Sequence, residues 1–411
     1  MVTKLILFDT YLYQLFFLFV MEPKNLTQML TDKNTFSFSK LKYKYGEENF
    51  SEYLTILSDF FYRKVPLENF SGQKFVYSPA QVQIVSQSLK QLMRNYSGEK
   101  YGMKAMEDEI ISTLSIEKID TKRESVREIL NGKAPQSQNE EKAYGIKRGL
   151  DFISDPANQI TVENLRKLYQ ITINDFLEPD VKLPPDLLYR NDAVYVVGSS
   201  GHSVHSGLAV EKLPAYINQL IRFIDDDHDE IDQVLKSAMI HYDFAYIHPY
   251  FDGNGRMARL LQLWYLVQKG YTSALFIPFS LFINQNKTGY YKSFKLISEN
   301  QTETGIPDMT PFLHFFTQNV FSQFENYNVN EDLLMRFKTV LEAGQMTKKE
   351  QELFQFVLSH YGTNEFSTKD LEKDYRNVAY ATVRTFVLKF EEMGLLKSHK
   401  YGARVKYSIK E

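Results

Sequence analysis

A short polar segment lies between two apolar, helix-like runs near the middle of this 411-residue chain. It reads HPYFDGNGRMAR, from His248 to Arg259, and it follows HYDFAYI and precedes LLQLWYL. Pro249 disfavours the α conformation in the residue before it, so the first helix should end at His248. Two glycines permit positive φ and a close approach of the backbone to a ligand. A second helix begins near Arg256, and its unpaired N–H groups and positive dipole end favour an anion such as phosphate.

The side chains of this segment predict phosphoryl or nucleotidyl transfer. Arg256 and Arg259 are three residues apart, hence on nearly the same helix face, and guanidinium groups bind phosphate oxygens bidentately. Asp252 supplies an oxygen ligand of the kind that Mg²⁺ takes together with substrate phosphates. Histidine is the side chain type whose ordinary pKa lies near neutrality, so His248 is the candidate general base. Asn254 adds a hydrogen-bond donor. A turn that only breaks a helix would not need a histidine, a carboxylate, an amide and two arginines together.

Composition places the chain among ordinary globular proteins, long enough for two or three domains. Hydrophobic residues make up 43% and charged residues 24%, and the formal net charge is −3. This balance argues against disorder and against wholesale coating of nucleic acid. The sequence has no cysteine, which excludes disulfides, thiolate metal sites and cysteine nucleophiles. It also fits a reducing cytoplasm, the location that we expect.

The apolar segment Lys4–Met21 admits three interpretations. Its composition is that of a signal sequence or a membrane anchor. It lacks a small-residue cleavage site, however, and Met21 begins a conventional polar start, MEPKNLTQ. Translation from Met21 is therefore favoured, with residues 1–20 an extension outside the protein, and a packed N-terminal helix is the third interpretation. We expect no membrane association.

Periodicity and breaks predict a mainly helical chain with three domains. Residues 21–133 are predicted to form a helical N-terminal domain, residues 142–327 a second helical domain and residues 345–411 a C-terminal domain. Within the second, AVYVVGSSGHSVHSG has β-rich flanks around a Gly/Ser turn, which is typical of a hairpin. The third reads as three helices followed by a β-ribbon, the order of a winged helix-turn-helix. Its modest basic excess indicates DNA as a partner, and docking of a protein is the alternative.

The polar segment resembles the signature of the Fic family, H-x-F-x-D/E-G-N-G-R-x-x-R. It matches at every defined position except Tyr250, where phenylalanine is usual and where we expect a packing role. The resemblance implies a Fic-type helical core and the transfer of AMP from ATP, with Mg²⁺, to a Ser, Thr or Tyr hydroxyl of a target protein. It also implies that His248 deprotonates the hydroxyl and that Asp252 holds the metal. The implied phosphate-binding residues are Gly253, Asn254, Gly255 and Arg256 for the α- and β-phosphates and Arg259 for the γ-phosphate.

Further segments extend the resemblance over about residues 104–324. The predicted hairpin corresponds to the family's flap, which aligns the target chain by strand addition. Its implied docking residues are Val196, Val197, Gly198 and His205. Tyr290 and Tyr291 resemble the tyrosine pair that lines the adenine pocket, with packing in a helix core as the alternative. Ser298 stands where relatives often carry an asparagine.

The segment STLSIEKID resembles the inhibitory motif S/T-x-x-x-E-G/N of self-inhibited members. Thr113 and Glu117 occupy its defined positions, and Lys118 departs from the usual Gly or Asn. A carboxylate that reaches Arg259 would occupy the partner of the γ-phosphate and block productive binding of ATP. The alternative is a solvated glutamate at a helix end. His241 should be a hydrogen-bonded core residue rather than a second base.

Three functional hypotheses follow. The first is an auto-inhibited protein adenylyltransferase, or a variant that transfers another group such as phosphate or UMP. The second is a DNA-binding regulator whose Fic-like core senses nucleotide without turnover, and a requirement for His248 would distinguish the two. The third assigns the C-terminal domain to a protein, either a target or a second copy of this chain in a homodimer.

Overall fold

The computed structural model describes residues 23–82, 103–179, 181–197, 203–271, 274, 277–323, 339–340, 343–361, 365–375, 378–402 and 404–410. Helices dominate these residues, and the strands form two-stranded antiparallel hairpins, so the mainly helical class is confirmed. Within these ranges no helix has both the length and the apolar character that a membrane crossing requires. The apolar segment Lys4–Met21 lies outside the described residues.

The helices and strands follow one another along the chain with these bounds. The helices are α1 (Pro23–Leu30), α2 (Phe38–Tyr45), α3 (Glu47–Ile56), α4 (Met103–Ile116), α5 (Arg123–Leu130), α6 (Gln138–Ser154), α7 (Val162–Thr172), α8 (Leu213–Asp225), α9 (Gln233–Ile247), α10 (Asn254–Gln268), α11 (Phe279–Gln285), α12 (Lys287–Thr304), α13 (Thr310–Phe316), α14 (Lys348–His360), α15 (Thr368–Tyr375) and α16 (Tyr380–Glu392). The strands are β1 (Arg63–Glu68), β2 (Lys74–Tyr77), β3 (Tyr195–Val197), β4 (Ser203–Ser206), β5 (Leu396–Tyr401) and β6 (Arg404–Ile409).

The chain forms two compact units, each assembled from three stretches of sequence. The first unit takes its described residues from Met1–Val85, Tyr189–Pro249 and Asn286–Val320. The second takes them from Ser86–Leu188, Tyr250–Gln285 and Phe321–Glu411. The three domains expected from the sequence stay a prediction.

Helix α9 runs through the core of the first unit. Its residues from Val234 to Phe244 are all buried, as expected for a helix that is covered all round. At its centre, the Tyr242 ring stacks on Phe294 with centroids 5.3 Å apart and meets Phe75 and Phe312 edge-on at 5.6 and 5.3 Å. Asp232 caps its first turn by accepting hydrogen bonds from two backbone N–H groups. These contacts fix where the helix lies and therefore where it ends.

A hairpin lies between the N-terminal helices, in a region that the sequence predicts to be helical. Strands β1 and β2 pair antiparallel, and the turn between them closes with a hydrogen bond from Gly72 N–H to the Asn69 carbonyl at 2.9 Å. Val65, Leu67 and Phe75 are fully buried. Their spacing within KVPLE and KFVY follows the two-residue period of a strand. The purely helical description of this region was therefore incomplete.

Helix α10 is the central helix of the second unit. A Cβ at Gly149 on α6 would lie 2.6 Å from Thr172 Oγ1 and 3.2 Å from Leu260 Cδ1, so α6 approaches both α7 and α10 closely. Further along α10, the buried Trp264 donates from Nε1 to the carbonyl of Asn158 at 3.0 Å. Together these contacts fix the middle and the C-terminal half of α10 within the second unit.

The C-terminal region has the predicted order of three helices, α14 to α16, followed by the ribbon β5–β6. Apolar side chains from the helices and the ribbon form one cluster that includes Phe354, Phe386 and Tyr407. Phe366 pairs with Tyr407 through two backbone hydrogen bonds of 2.8 and 2.7 Å. The order of elements is therefore confirmed, while the assignment as a winged helix-turn-helix stays a prediction.

Candidate functional site

His248 terminates helix α9 in a left-handed conformation, with φ 57° and ψ 61°. The predicted end of the helix at this residue is confirmed. A left-handed residue other than glycine costs on the order of 1 kcal/mol or more, so neighbouring groups must hold it there. The ring Nδ1 lies 3.1 Å from the carbonyl of Ala245. In the tautomer that donates this hydrogen bond, Nε2 keeps its lone pair, as a general base requires.

Asn254 and Tyr250 close the loop before α10. The Asn254 side chain accepts a hydrogen bond from Tyr250 N–H at 2.9 Å and donates one to the Tyr250 carbonyl at 2.8 Å. The buried ring of Tyr250 stacks on Tyr169, with centroids 3.6 Å apart and planes 7° from parallel. The packing role expected for Tyr250 is confirmed. The Asn254 amide shapes the loop, and its contact with phosphate stays a prediction.

The two glycines of the loop are needed for different reasons. Gly253 has φ 79°, and a Cβ there would lie 2.3 Å from Ile173 Cδ1. Gly255 lies within α10 with an ordinary helical backbone, so positive φ is confirmed for Gly253 alone. A Cβ at Gly255 would lie 2.6 Å from Glu117 Oε1. Gly255 therefore leaves space for an approaching oxygen rather than supplying an unusual turn.

Arg256 and Arg259 are both buried in the first turns of α10. Arg256 Nη2 donates to Asp252 Oδ2 at 3.0 Å, and Arg256 Nε has no hydrogen-bond partner within the described part of the chain. A buried N–H group of a guanidinium without a partner is costly. A ligand oxygen placed at Nε would remove that cost.

Helix α4 presents a carboxylate and a hydroxyl to Arg259. Glu117 Oε1 accepts from Arg259 Nη2 at 2.7 Å, and Thr113 Oγ1 accepts from Arg259 Nε at 2.7 Å. Glu109 is four residues before Thr113, hence on the same helix face. It is buried and accepts from Ser280 N–H at 2.8 Å and from the Ser280 hydroxyl. Burial raises the pKa of the Glu109 carboxyl.

The end of α4 shows why Gly or Asn would suit the position directly after Glu117. Lys118 has φ 61°, Ile119 N–H donates to the Leu114 carbonyl at 3.0 Å, and Lys118 N–H donates to Ser115 at 3.1 Å. This is a Schellman turn, whose left-handed position suits Gly or Asn. The lysine therefore adopts a backbone conformation that is unfavourable for it.

Asp252 has the exposure and geometry that fit a magnesium ligand. Its side chain is 55% exposed, and Oδ1 accepts from Gly253 N–H at 2.6 Å. Among the described residues, no group of three or more Asp, Glu, His or Cys side chains is arranged to hold a metal. A single exposed carboxylate suits Mg²⁺, which takes its other ligands from water and substrate phosphates.

Strands β3 and β4 form the predicted hairpin, with Tyr195 opposite Ser206 and Val196 opposite His205. Gly198 lies outside the described residues, and target docking by Val196, Val197 and His205 stays a prediction. Arg190, whose buried side chain lies in the same unit, was not predicted from the sequence. A lone arginine in a loop carries no pattern that predicts burial.

The two tyrosines of α12 lie in different surroundings. Tyr290 is buried, packs against Phe312 and Phe315, and bonds through its hydroxyl to His241 Nε2 at 2.8 Å. Tyr291 is 47% exposed. His241 is thus the hydrogen-bonded core residue that we expected. Contact of either tyrosine with adenine stays a prediction.

Part of this chain is similar to a known family model and to curated proteins of one name. Residues 159–266 match the family model described as Fic/DOC family. The chain is 26% identical over 209 residues to protein adenylyltransferase Fic of Drosophila erecta, covering 48% of this chain and 38% of that protein. It is 29% identical over 213 residues to the protein of the same name from Drosophila willistoni, covering 49% and 39%. The chain spans less than two-fifths of the length of these curated relatives.

Among solved structures, a Fic family protein from Desulfovibrio desulfuricans G20 aligns with a TM-score of 0.45 and 18% identity, over 75% of this chain and 87% of that one. The family-model match contains the whole segment from His248 to Arg259. The similarity to the Fic/DOC family model is therefore shown for residues 159–266, which include this segment.

Proposed function

We propose that this protein transfers AMP from ATP to a Ser, Thr or Tyr hydroxyl of a target protein, and that Glu117 restrains the reaction. The observation that carries the proposal is the contact of Glu117 with Arg259 in the first turns of α10. The name shared by the curated relatives, protein adenylyltransferase Fic, supports the same chemistry. Dimerisation and a cytoplasmic location stay predictions.

The first turns of α10 have the features that a triphosphate requires. The unpaired N–H groups at the helix start point toward an incoming anion, and Gly253 and Gly255 keep the backbone free of side chains there. Arg256 has an Nε–H without a hydrogen-bond partner among the described residues, and Arg259 adds a second buried cation. Asp252 would hold Mg²⁺, which when bound neutralises phosphate charge and favours departure of pyrophosphate.

The proposed reaction uses His248 Nε2 as the base. It takes the proton of the target hydroxyl, whose oxygen then bonds to the α-phosphorus. The bond from the α-phosphorus to the bridging oxygen of the β-phosphate breaks, and pyrophosphate leaves. Holding the nucleotide in line for this attack is the main contribution that a protein makes to such transfers.

Glu117 opposes this reaction by charge and by occupancy. Its carboxylate takes a hydrogen bond of Arg259 that a γ-phosphate oxygen would otherwise receive. A Cβ at Gly255 would lie 2.6 Å from Glu117 Oε1. The Glu117 carboxylate therefore fills the space next to the start of α10. The side chain of Glu117 is 31% exposed, which allows it to leave without unfolding of the core.

The position of a label in ATP tests the proposed chemistry. Purified Glu117→Gly protein is incubated with Mg²⁺ and a cell extract, using ATP labelled at the α-phosphate in one series and at the γ-phosphate in the other. We expect protein-bound label from the α-series alone, and its loss by about 100-fold or more in the double variant Glu117→Gly/His248→Ala. Label from the γ-series alone would identify a phosphate transferase instead. Binding of ATP without label from either series would favour the nucleotide-sensing alternative.

We also infer that the C-terminal region binds double-stranded DNA, because its charge is concentrated on one part of its surface. From Met393 to Lys410 the sequence has five Lys or Arg and no Asp or Glu, in a chain of net charge −3. Lys400, Arg404 and Lys406 on the ribbon β5–β6 are exposed. Arg384 is exposed on α16, whose first turn carries no acidic residue. A helix with a basic ribbon beside it matches the groove and phosphate contacts of winged helices.

The salt dependence of DNA binding tests this second function. Anisotropy of a labelled duplex is measured at several salt concentrations with the full chain and with a triple variant, Arg384→Ala/Lys400→Ala/Arg404→Ala. We expect the slope of log affinity against log salt to become shallower by about 2 to 3 in the triple variant. The matched control, Lys40→Ala/Lys292→Ala/Lys295→Ala, removes three exposed lysines of the first unit and should keep the slope. Equal behaviour of the two triple variants would contradict DNA binding by this surface and favour docking of a protein.

A further inference from the structure

The side chain of Arg190 joins the end of helix α9 to the segment that carries the hairpin β3–β4. Nε donates to the carbonyl of His248 at 2.9 Å, and Nη1 donates to the carbonyl of Asp192 at 2.7 Å. Nη2 donates to the carbonyl of Leu208. Asp192 precedes the hairpin and Leu208 follows it. One guanidinium group therefore binds both ends of the hairpin segment and the backbone of the proposed base.

Backbone hydrogen bonds reinforce the same junction. Arg190 N–H donates to the Pro249 carbonyl at 3.0 Å, and Leu208 N–H donates to the Ile247 carbonyl at 3.2 Å. The residues on either side of His248 thus accept hydrogen bonds from the two ends of the hairpin segment. The His248 carbonyl, between them, is bound by the Arg190 side chain.

The guanidinium group is closely fitted into this junction. Arg190 is 1% exposed, and a Cβ at Gly207 would lie 2.7 Å from Arg190 Nη2. Desolvation lowers the pKa of Arg190, although arginine stays charged in proteins. Its side-chain hydrogen bonds go to carbonyl groups rather than to a carboxylate. Burial of a cation in this way has a high free-energy cost. The planar guanidinium group of arginine suits three divergent acceptors better than the ammonium group of lysine does.

The position of the carbonyl matters for His248 because ψ sets the direction in which that carbonyl points. His248 has ψ 61° and a positive φ, a combination that is unfavourable outside glycine. The hydrogen bond from Arg190 to the His248 carbonyl opposes relaxation of the His248 backbone to another conformation. Such a relaxation would also turn the imidazole ring.

We propose that Arg190 is a positioning residue that holds His248 in its left-handed conformation and fixes the hairpin β3–β4 to the same carbonyl. A target chain that adds to the hairpin then keeps a constant position relative to the imidazole. This inference rests on the proposed function, because it assigns His248 the role of base and the hairpin the role of docking element. Arg190 itself touches neither ATP nor the target hydroxyl in this account.

A comparison of two arginines tests the proposal. Arg190→Lys and Arg166→Lys are each made in the Glu117→Gly parent. Arg166 is the matched control because it also donates to loop carbonyls, those of Leu187 at 2.9 Å and Pro184 at 3.2 Å, without contacting His248. Single-turnover transfer at saturating ATP, the Kd for ATP and the thermal unfolding midpoint are measured for each protein.

We expect Arg190→Lys to lower the transfer rate by about tenfold or more, since small displacements of reacting groups are costly, while the Kd for ATP changes by less than about twofold. Arg166→Lys should keep the parental rate. Equal rates for Arg190→Lys and the parent, or equal losses in both arginine variants, would overturn the proposal.

Hydrogen exchange supplies a readout that does not depend on activity. We expect the amides of residues 205–210 and 246–250 to exchange faster in Arg190→Lys than in the parent, and exchange there to be unchanged in Arg166→Lys. Unchanged protection in Arg190→Lys would overturn the positioning role. A parent without any transfer activity would instead refute the proposed function, and exchange would still decide whether Arg190 holds this junction.

Discussion

At the scale of single residues, Lys118 is the position where one side chain opposes the local backbone. It occupies the left-handed position of the turn that ends α4, directly after Glu117. An L-residue with a Cβ costs on the order of 1 kcal/mol there relative to glycine. The cost falls on the helix end that carries the carboxylate bound to Arg259.

We therefore expect Lys118→Gly to raise the free energy of unfolding by about 1 kcal/mol and to lower basal label transfer, because Glu117 is held more firmly. Urea unfolding and the labelling assay measure the two effects. Lys118→Ala is the control, since it removes the same charge but keeps the Cβ, and it should bring no gain. A gain of equal size in Lys118→Ala would show that charge, rather than backbone conformation, is responsible.

At the scale of elements, helix α4 acts as a unit with two points of attachment. Glu117 and Thr113 bind Arg259 at its C-terminal end, and Glu109 binds the N–H and hydroxyl groups of Ser280 near its middle. The contact between Glu109 and Ser280 is buried, and the two residues are 171 positions apart in sequence. It should therefore influence how long Glu117 stays at Arg259 without being part of the site.

We expect Glu109→Ala to raise label transfer above the wild-type level, by less than Glu117→Gly does, and to destabilise the protein by about 2 kcal/mol because a buried N–H group loses its acceptor. Ser280→Ala, which removes only the hydroxyl, should show the same two effects at smaller size. Loss of stability in both variants without any rise in transfer would mean that α4 is not a movable inhibitory element.

At the scale of the whole molecule, the buried carboxyl of Asp308 makes stability depend on pH. Its oxygens accept from Tyr62 Oη at 2.9 Å and from Thr310 N–H at 2.8 Å, and burial raises its pKa to about 6. The unfolded chain has the ordinary value of 3.8. The folded state therefore binds the proton more tightly, and this contribution to stability is complete below the unfolded pKa and is lost as the pH rises through about 6.

The loss should amount to about 2 to 3 kcal/mol between roughly pH 4 and pH 7. Asp308→Asn keeps an acceptor for Thr310 but cannot ionise, so its stability should lack this decline. Urea unfolding of both proteins across this pH range measures the difference. Parallel pH profiles for the wild type and Asp308→Asn would contradict the assignment to Asp308.

Local chemistry explains which features were predictable from the sequence. The end of α9 at His248 follows from Pro249, and the turn before α10 follows from Gly253. The resemblance to an inhibitory motif pointed to Glu117, but its local spacing could not show that Thr113 also binds Arg259, 146 residues away in sequence. Arg190 and Glu109 were missed for the same reason, since their partners lie 58 and 171 residues away and only tertiary packing reveals their burial.

The most direct test of the central claim is the rate at which α-labelled ATP modifies protein in the wild type and in Glu117→Gly, measured side by side with Mg²⁺ at equal enzyme and extract concentrations. If Glu117 restrains AMP transfer by binding Arg259, the variant should label protein at least about tenfold faster, within the range of typical coupling energies. Equal rates in the two proteins, with both folded and both binding ATP, would contradict the claim that this contact controls the reaction.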